Sequence, residues 1–78
     1  MTSEREIKPV FVSRHALARV RQRNIDLLLV KAALRTPDLK VLGARGRLKA
    51  IRSFHGRELV VVYVETRRVL VLVTAYWR

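Results

Sequence analysis

His15 and Arg19 stand one helical turn apart in the stretch S-R-H-A-L-A-R-V-R-Q-R-N-I, Ser13 to Ile25, and are the first pair in the chain that could do chemistry. An imidazole beside a guanidinium suits metal-free cleavage of a phosphodiester: a base takes a hydroxyl proton and a cation holds the phosphate. Near the other end, Thr74 and Tyr76 alternate onto one side of a strand, where their hydroxyls could reach a phosphate or orient the base. Each has a plainer reading too. His15 also fits an exposed histidine among arginines, Thr74 a solvated strand end and Tyr76 aromatic packing.

A wider set of cations occupies turn segments. Arg45, Arg47, Lys49 and Arg52 surround the first hairpin, Arg57 follows in the next turn, and Arg67 and Arg68 occupy the last. Seventeen Lys and Arg against six Asp and Glu give a formal charge of +11, an excess best tolerated when a polyanion neutralises it. Most of these cations are arginines, which fork onto phosphates and stack on bases. Nucleic acid is therefore the expected partner, held by phosphate contacts that position a strand without reading its sequence. His55, before Gly56, reads as a turn residue or as a second acid or base. With no cysteine and two distant histidines, no metal site is expected. No glycine-rich phosphate loop or dinucleotide fingerprint occurs, so no cofactor is expected. The polar N-terminus and the strand-length apolar runs give no secretion signal or membrane span, and the expected location is cytoplasmic, away from membranes.

These residues need elements to position them. Seventy-eight residues make a single domain, 1–78, whose small core supplies only about 3–5 kcal/mol. Residues 1–8 read as a frayed arm and Pro9 to Val12 as a short edge strand. Ser13 caps the first helix and Asn24 suits its stop. Asp26 caps a second helix, Leu27 to Arg35, so apolar that it should be nearly all buried, with Ile25 stapled onto Val30. Thr36-Pro37 ends it. Leu39 to Leu42, Arg47 to Phe54, Glu58 to Glu65 and Val69 to Tyr76 then read as four strands joined by short turns, hence antiparallel neighbours. The expected fold is α+β: two N-terminal helices on a four-stranded antiparallel meander. The third and fourth strands are apolar on both faces, and the fourth would be an exposed edge. Val10 to Val12, a second subunit or a partner protein should cover it.

The combination of S-R-H-A-L-A-R-V-R-Q-R-N-I, an apolar helix ending in T-P-D, and a closing V-T-A-Y at Val73 to Tyr76 resembles the prokaryotic domain of unknown function 4258 family. That family is in turn similar to RelE/ParE and barnase-like toxin nucleases. The resemblance implies a RelE-like fold and, on matching positions, the family histidine at His15, its arginines at Arg19 and Arg23, and its final polar pair at Thr74 and Tyr76. Asn24 stands where glycine is commoner. The implied activity is that of a small toxin of a toxin–antitoxin system, a metal-independent endoribonuclease leaving a 2′,3′-cyclic phosphate. RNA, free or on the ribosome, would contact Arg23, Arg45, Arg47, Lys49, Arg52, His55 and Arg57, and an acidic antitoxin or a second copy would cover the last strand. The alternative is a non-catalytic module that binds RNA or the ribosome.

Overall fold

The computed structural model describes residues 8–78, so the arm expected over residues 1–8 lies outside the description except for Lys8. In chain order the elements are β1 (Val10–Phe11), α1 (Arg14–Gln22), α2 (Leu27–Arg35), β2 (Leu39–Leu42), β3 (Leu48–Phe54), β4 (Arg57–Glu65) and β5 (Leu70–Trp77). The five strands form one mixed sheet in the order β1-β5-β4-β3-β2. This corrects the four-stranded antiparallel expectation: β2 to β5 are antiparallel neighbours, but β1 adds in parallel, Val10 opposite Leu70 and Phe11 opposite Val71. The first part of the apolar β5 edge is thereby covered from within the chain. Main-chain hydrogen bonding from Leu70 N–H to the Pro9 carbonyl at 2.9 Å starts this pairing.

Both helices begin where local chemistry starts them. The Ser13 Oγ accepts from the Ala16 N–H at 3.1 Å, and the Asp26 carboxylate accepts from the Leu28 N–H at 2.9 Å, each satisfying a first-turn donor that the helix leaves unpaired. Between them Asn24 takes a left-handed φ of 54°, a conformation asparagine tolerates better than most residues. Ile25 and Val30 both enter the core, as a staple across the second cap requires.

The helices lie on one face of the sheet, α1 along β5 and α2 over β4 and β3. Ala16 and Val20 of α1, and Val30, Ala33 and Leu34 of α2, close over Ala50, Leu59, Val61, Tyr63, Leu72 and Ala75. α2 is less buried than its composition suggests: Leu28 is 72% exposed. A helix lying on a sheet can bury only one side, and Leu28 shares the outer side with Lys31 and Arg35.

A second, smaller apolar cluster of Ile51, Val60 and Val62, with Val73 and Tyr76 against it, occupies the opposite face of the sheet. The place of Tyr76 in it follows from a β-bulge. Tyr63 pairs with Leu72 but Val62 pairs with Thr74, so Val73 is an extra residue in β5. A bulge puts two residues against one and shifts the alternation beyond it. Leu70 and Leu72 therefore face the helices before the bulge, Ala75 does so after it, and Thr74 and Tyr76 are turned to the helix-free face.

Candidate nucleic-acid interface

Antiparallel register builds a row across the helix-free face. Val41 lies opposite Lys49, Lys49 opposite Val62, and Val62 opposite Thr74. At the β2 end the chain turns through Gly43 and a single 3₁₀ turn, Ala44–Gly46. Gly43, Ala44, Arg45, Arg47, Lys49, Val62 and Thr74 line a cleft of about 450 Å³. Every charged side chain among them is a cation. An apolar floor raises the effective strength of those charges, so an anion entering the cleft meets a focused positive potential.

Arg23 reaches Thr74, one of the cleft's lining residues, from the end of α1. It follows the last turn, and its Nη1 donates both to Thr74 Oγ1 at 3.0 Å and to the Ala75 carbonyl oxygen at 2.9 Å. The second bond is available because β1 pairs only with the start of β5, leaving Ala75 beyond the parallel pairing. One guanidinium thus covers a sheet-edge acceptor and holds a hydroxyl in place, with further N–H groups left for an oxyanion.

Arg45 carries a left-handed backbone, φ 61° and ψ 33°, which costs a non-glycine residue on the order of 1 kcal/mol. Gly43 is constrained differently: a Cβ there would lie 3.3 Å from the Arg47 carbonyl oxygen, so any larger residue would press on the lip.

Of the residues singled out in the sequence, the structure gathers Arg45, Arg47, Lys49 and Thr74 around the cleft and joins Arg23 to Thr74. Tyr76 lies on the same face two residues along β5, packed against Ile51, Val60 and Val62. His15 and Arg19 are exposed on α1. With Arg23 they follow at four-residue intervals along one flank of the helix, so His15 precedes Arg23 by about 12 Å of helix axis.

The other three point elsewhere. Arg52 belongs to the helix side of β3, where its Nη1 donates to Thr36 Oγ1 at 2.6 Å and to the Ala32 carbonyl at 3.3 Å. It thereby closes the C-terminal end of α2 and lies 5.0 Å from the centre of the Phe54 ring. His55 and Gly56, with φ 53° and 84°, form the two-residue turn between Phe54 and Arg57. Both positive angles mark a type I′ hairpin turn. Arg57 lies 4.7 Å above the Trp77 ring, and Trp77 meets Phe54 edge to face at 6.4 Å. This aromatic and cationic cluster sits at the opposite end of β3 from Arg47.

A separate depression of about 350 Å³, lined by Lys8, Pro9, Val10, Lys31 and Arg35, contains none of these residues. Sequence reasoning did not single out Gly43, Ala44 or Val62 as cleft residues. A signal for Val62 existed: a two-residue turn at His55–Gly56 places Lys49 directly opposite it. No helix among the described residues is long and apolar enough to cross a membrane.

A family model described as domain of unknown function (DUF4258) matches residues 12–77. No curated protein and no solved structure matches the chain.

Proposed function

From a chain that belongs to the DUF4258 family, we propose an RNA-binding domain that holds the phosphodiester backbone in the cleft between the β2–β3 turn and β5. The observation that carries this reading is a cleft lined by Arg45, Arg47, Lys49 and Thr74, whose hydroxyl Arg23 holds. Guanidinium groups fork onto phosphate oxygens, the lysine adds a point charge, and the hydroxyl donates a further bond. Binding of this kind loses affinity linearly on logarithmic axes as salt rises. The test is a titration of labelled RNA at several salt concentrations against the wild type and Lys49→Ala. The reading requires a steep salt dependence that becomes shallower by about one phosphate contact in the variant. Binding that ignores both salt and Lys49 would overturn it.

A second reading makes the domain a RelE/ParE-like toxin that cleaves the RNA it binds without a metal. What supports it is the succession His15, Arg19 and Arg23 on one flank of α1 with Arg23 anchored at Thr74. A strand gripped at Arg23 and extended along that flank passes Arg19 and then His15. His15 would take the proton of a ribose 2′-hydroxyl, whose oxygen attacks the adjacent phosphorus while Arg19 and Arg23 stabilise its oxygens. The P–O5′ bond breaks, the 5′-oxygen leaves as a hydroxyl with a proton taken from water, the proton on His15 returns to solvent, and a 2′,3′-cyclic phosphate remains. An acidic antitoxin would neutralise the cations and add to β5 where β1 leaves its edge open. Incubation with total RNA in EDTA, with and without ribosomes, decides between the readings. Cyclic-phosphate ends that vanish in His15→Ala and Arg19→Ala, with binding retained, select the nuclease. Tight binding without such ends selects the binding module.

A further inference from the structure

We infer that the RNA taken by this domain is single-stranded, with unpaired bases laid on the helix-free face of the sheet and Tyr76 as their stacking surface. This rests on the RNA-binding reading and adds the class of RNA and the side chain that selects it.

The face holds two kinds of row. The first, Val41, Lys49, Val62 and Thr74, borders the cationic cleft. The second, Leu39, Ile51, Val60 and Tyr76, is apolar from edge to edge. The rows are two residues apart along each strand, about 6–7 Å. Val73, the bulge residue, packs on the same cluster. Both helices lie on the other side; within the row Val60 and Ile51 are buried, and the half-buried Tyr76 ring and the exposed Leu39 are the groups open to a ligand.

Charge decides the occupant. The cations lining the border require an anionic partner, and the half-buried Tyr76 ring beside them offers a flat face to one that also carries apolar, flat surface. An unpaired RNA segment offers both at this spacing, its phosphates to the first row and its bases to the second. A duplex keeps its bases stacked inside and presents phosphates, riboses and a shallow minor groove. It would use the cations and gain little from Tyr76. A second copy of the chain would bring its own cations against these.

The test is fluorescence anisotropy with the full chain, using a short labelled uridine-rich RNA alone and annealed to its complement. The single strand should bind about tenfold or more tightly than the duplex, the scale of one stacked base. Tyr76→Leu, which keeps an apolar side chain but removes the ring, should abolish most of that preference. Tyr76→Phe, which keeps the ring, should preserve it. Lys49→Ala should weaken both RNAs by the same factor. Equal binding of both RNAs, or a preference unchanged in Tyr76→Leu, overturns the inference while leaving phosphate binding intact. Binding of neither RNA overturns the RNA reading as well. A wild-type dimer that Tyr76→Leu dissociates would place a second copy on the face and overturn the inference also.

Discussion

Arg23 and Thr74, fifty-one residues apart in sequence, are joined at 3.0 Å by a hydrogen bond from guanidinium to hydroxyl, and the same nitrogen bonds the next carbonyl, that of Ala75. A helix end is thus fixed to the strand that lines the cleft, so the fold itself presents the cation.

Replacing Arg23 with alanine should therefore separate binding from stability. Two hydrogen bonds at a partly solvated edge are worth about 1–3 kcal/mol together, whereas RNA affinity should fall severalfold and its salt slope by about one contact. Arg23→Lys should restore charge but not the two-pronged grip. Thr74→Val should weaken RNA binding with little change in the salt slope. Salt-dependent binding isotherms beside urea melts would check all three.

Two positive φ angles at non-glycine residues make a matched pair of tests. Arg45 and His55 both adopt left-handed backbones, φ 61° and 53°. Arg45→Gly and His55→Asn should each raise stability by about 0.5–1 kcal/mol. Only Arg45→Gly should weaken RNA binding, because Arg45 lines the cleft and His55 turns a hairpin at the far end of β3. Chemical denaturation and RNA titration of the two variants supply both readouts.

Arg52→Ala should behave in the opposite sense. Its bonds to Thr36 Oγ1 and the Ala32 carbonyl and its position beside Phe54 make it a strut between β3 and α2. Loss of roughly 1–3 kcal/mol with nearly unchanged RNA affinity is expected, from thermal melts and anisotropy run in parallel.

The residue patterns that announce these elements are local ones. Ser13 and Asp26 cap helices through neighbouring N–H groups, and Thr36-Pro37 stops α2 through its own sterics, so each could be read in sequence. Alternation along β3 likewise separates Lys49 from Arg52, although a sequence grouping by turn puts both on one rim. The β5 bulge was not legible, because it arises from packing between strands rather than from any residue type. Nor was the outward face of Leu28, since three successive leucines name no face. The contact of Arg23 with Thr74 joins a helix end to a distant strand and has no local signature. That Val10 to Val12 could cover the β5 edge was legible from the need to cover it; the parallel direction was not.

Glu65 supplies a test in pH. The Lys8 ammonium, 2.7 Å from its carboxylate, holds the Glu65 pKa below its ordinary 4.5, through the hydrogen bond first and the charge second. A carboxylate depressed in the folded state stabilises the fold above its unfolded pKa, and that contribution is lost as pH falls through the folded value. Because the pair is exposed, the effect should be under about 1 kcal/mol. Stability measured from pH 7 down to about pH 3 should fall more steeply in the wild type than in Glu65→Gln, the curves converging at the acid end.

The extra residue in β5 divides that strand into two halves of opposite phase. Residues before Val73 build the foundation under the helices, and residues after it carry Thr74 and Tyr76 to the outside. Whether Val73 bulges or pairs is therefore the control on polarity in this strand. Deleting Val73 would leave an ordinary alternating strand with Thr74 and Tyr76 still outside and Ala75 and Trp77 still under the helices, whereas pairing Val73 in register would roll Thr74 and Tyr76 under the helices and expel Ala75 and Trp77. A one-residue slip of register here, which in a loop would pass unnoticed, inverts the working face of the protein.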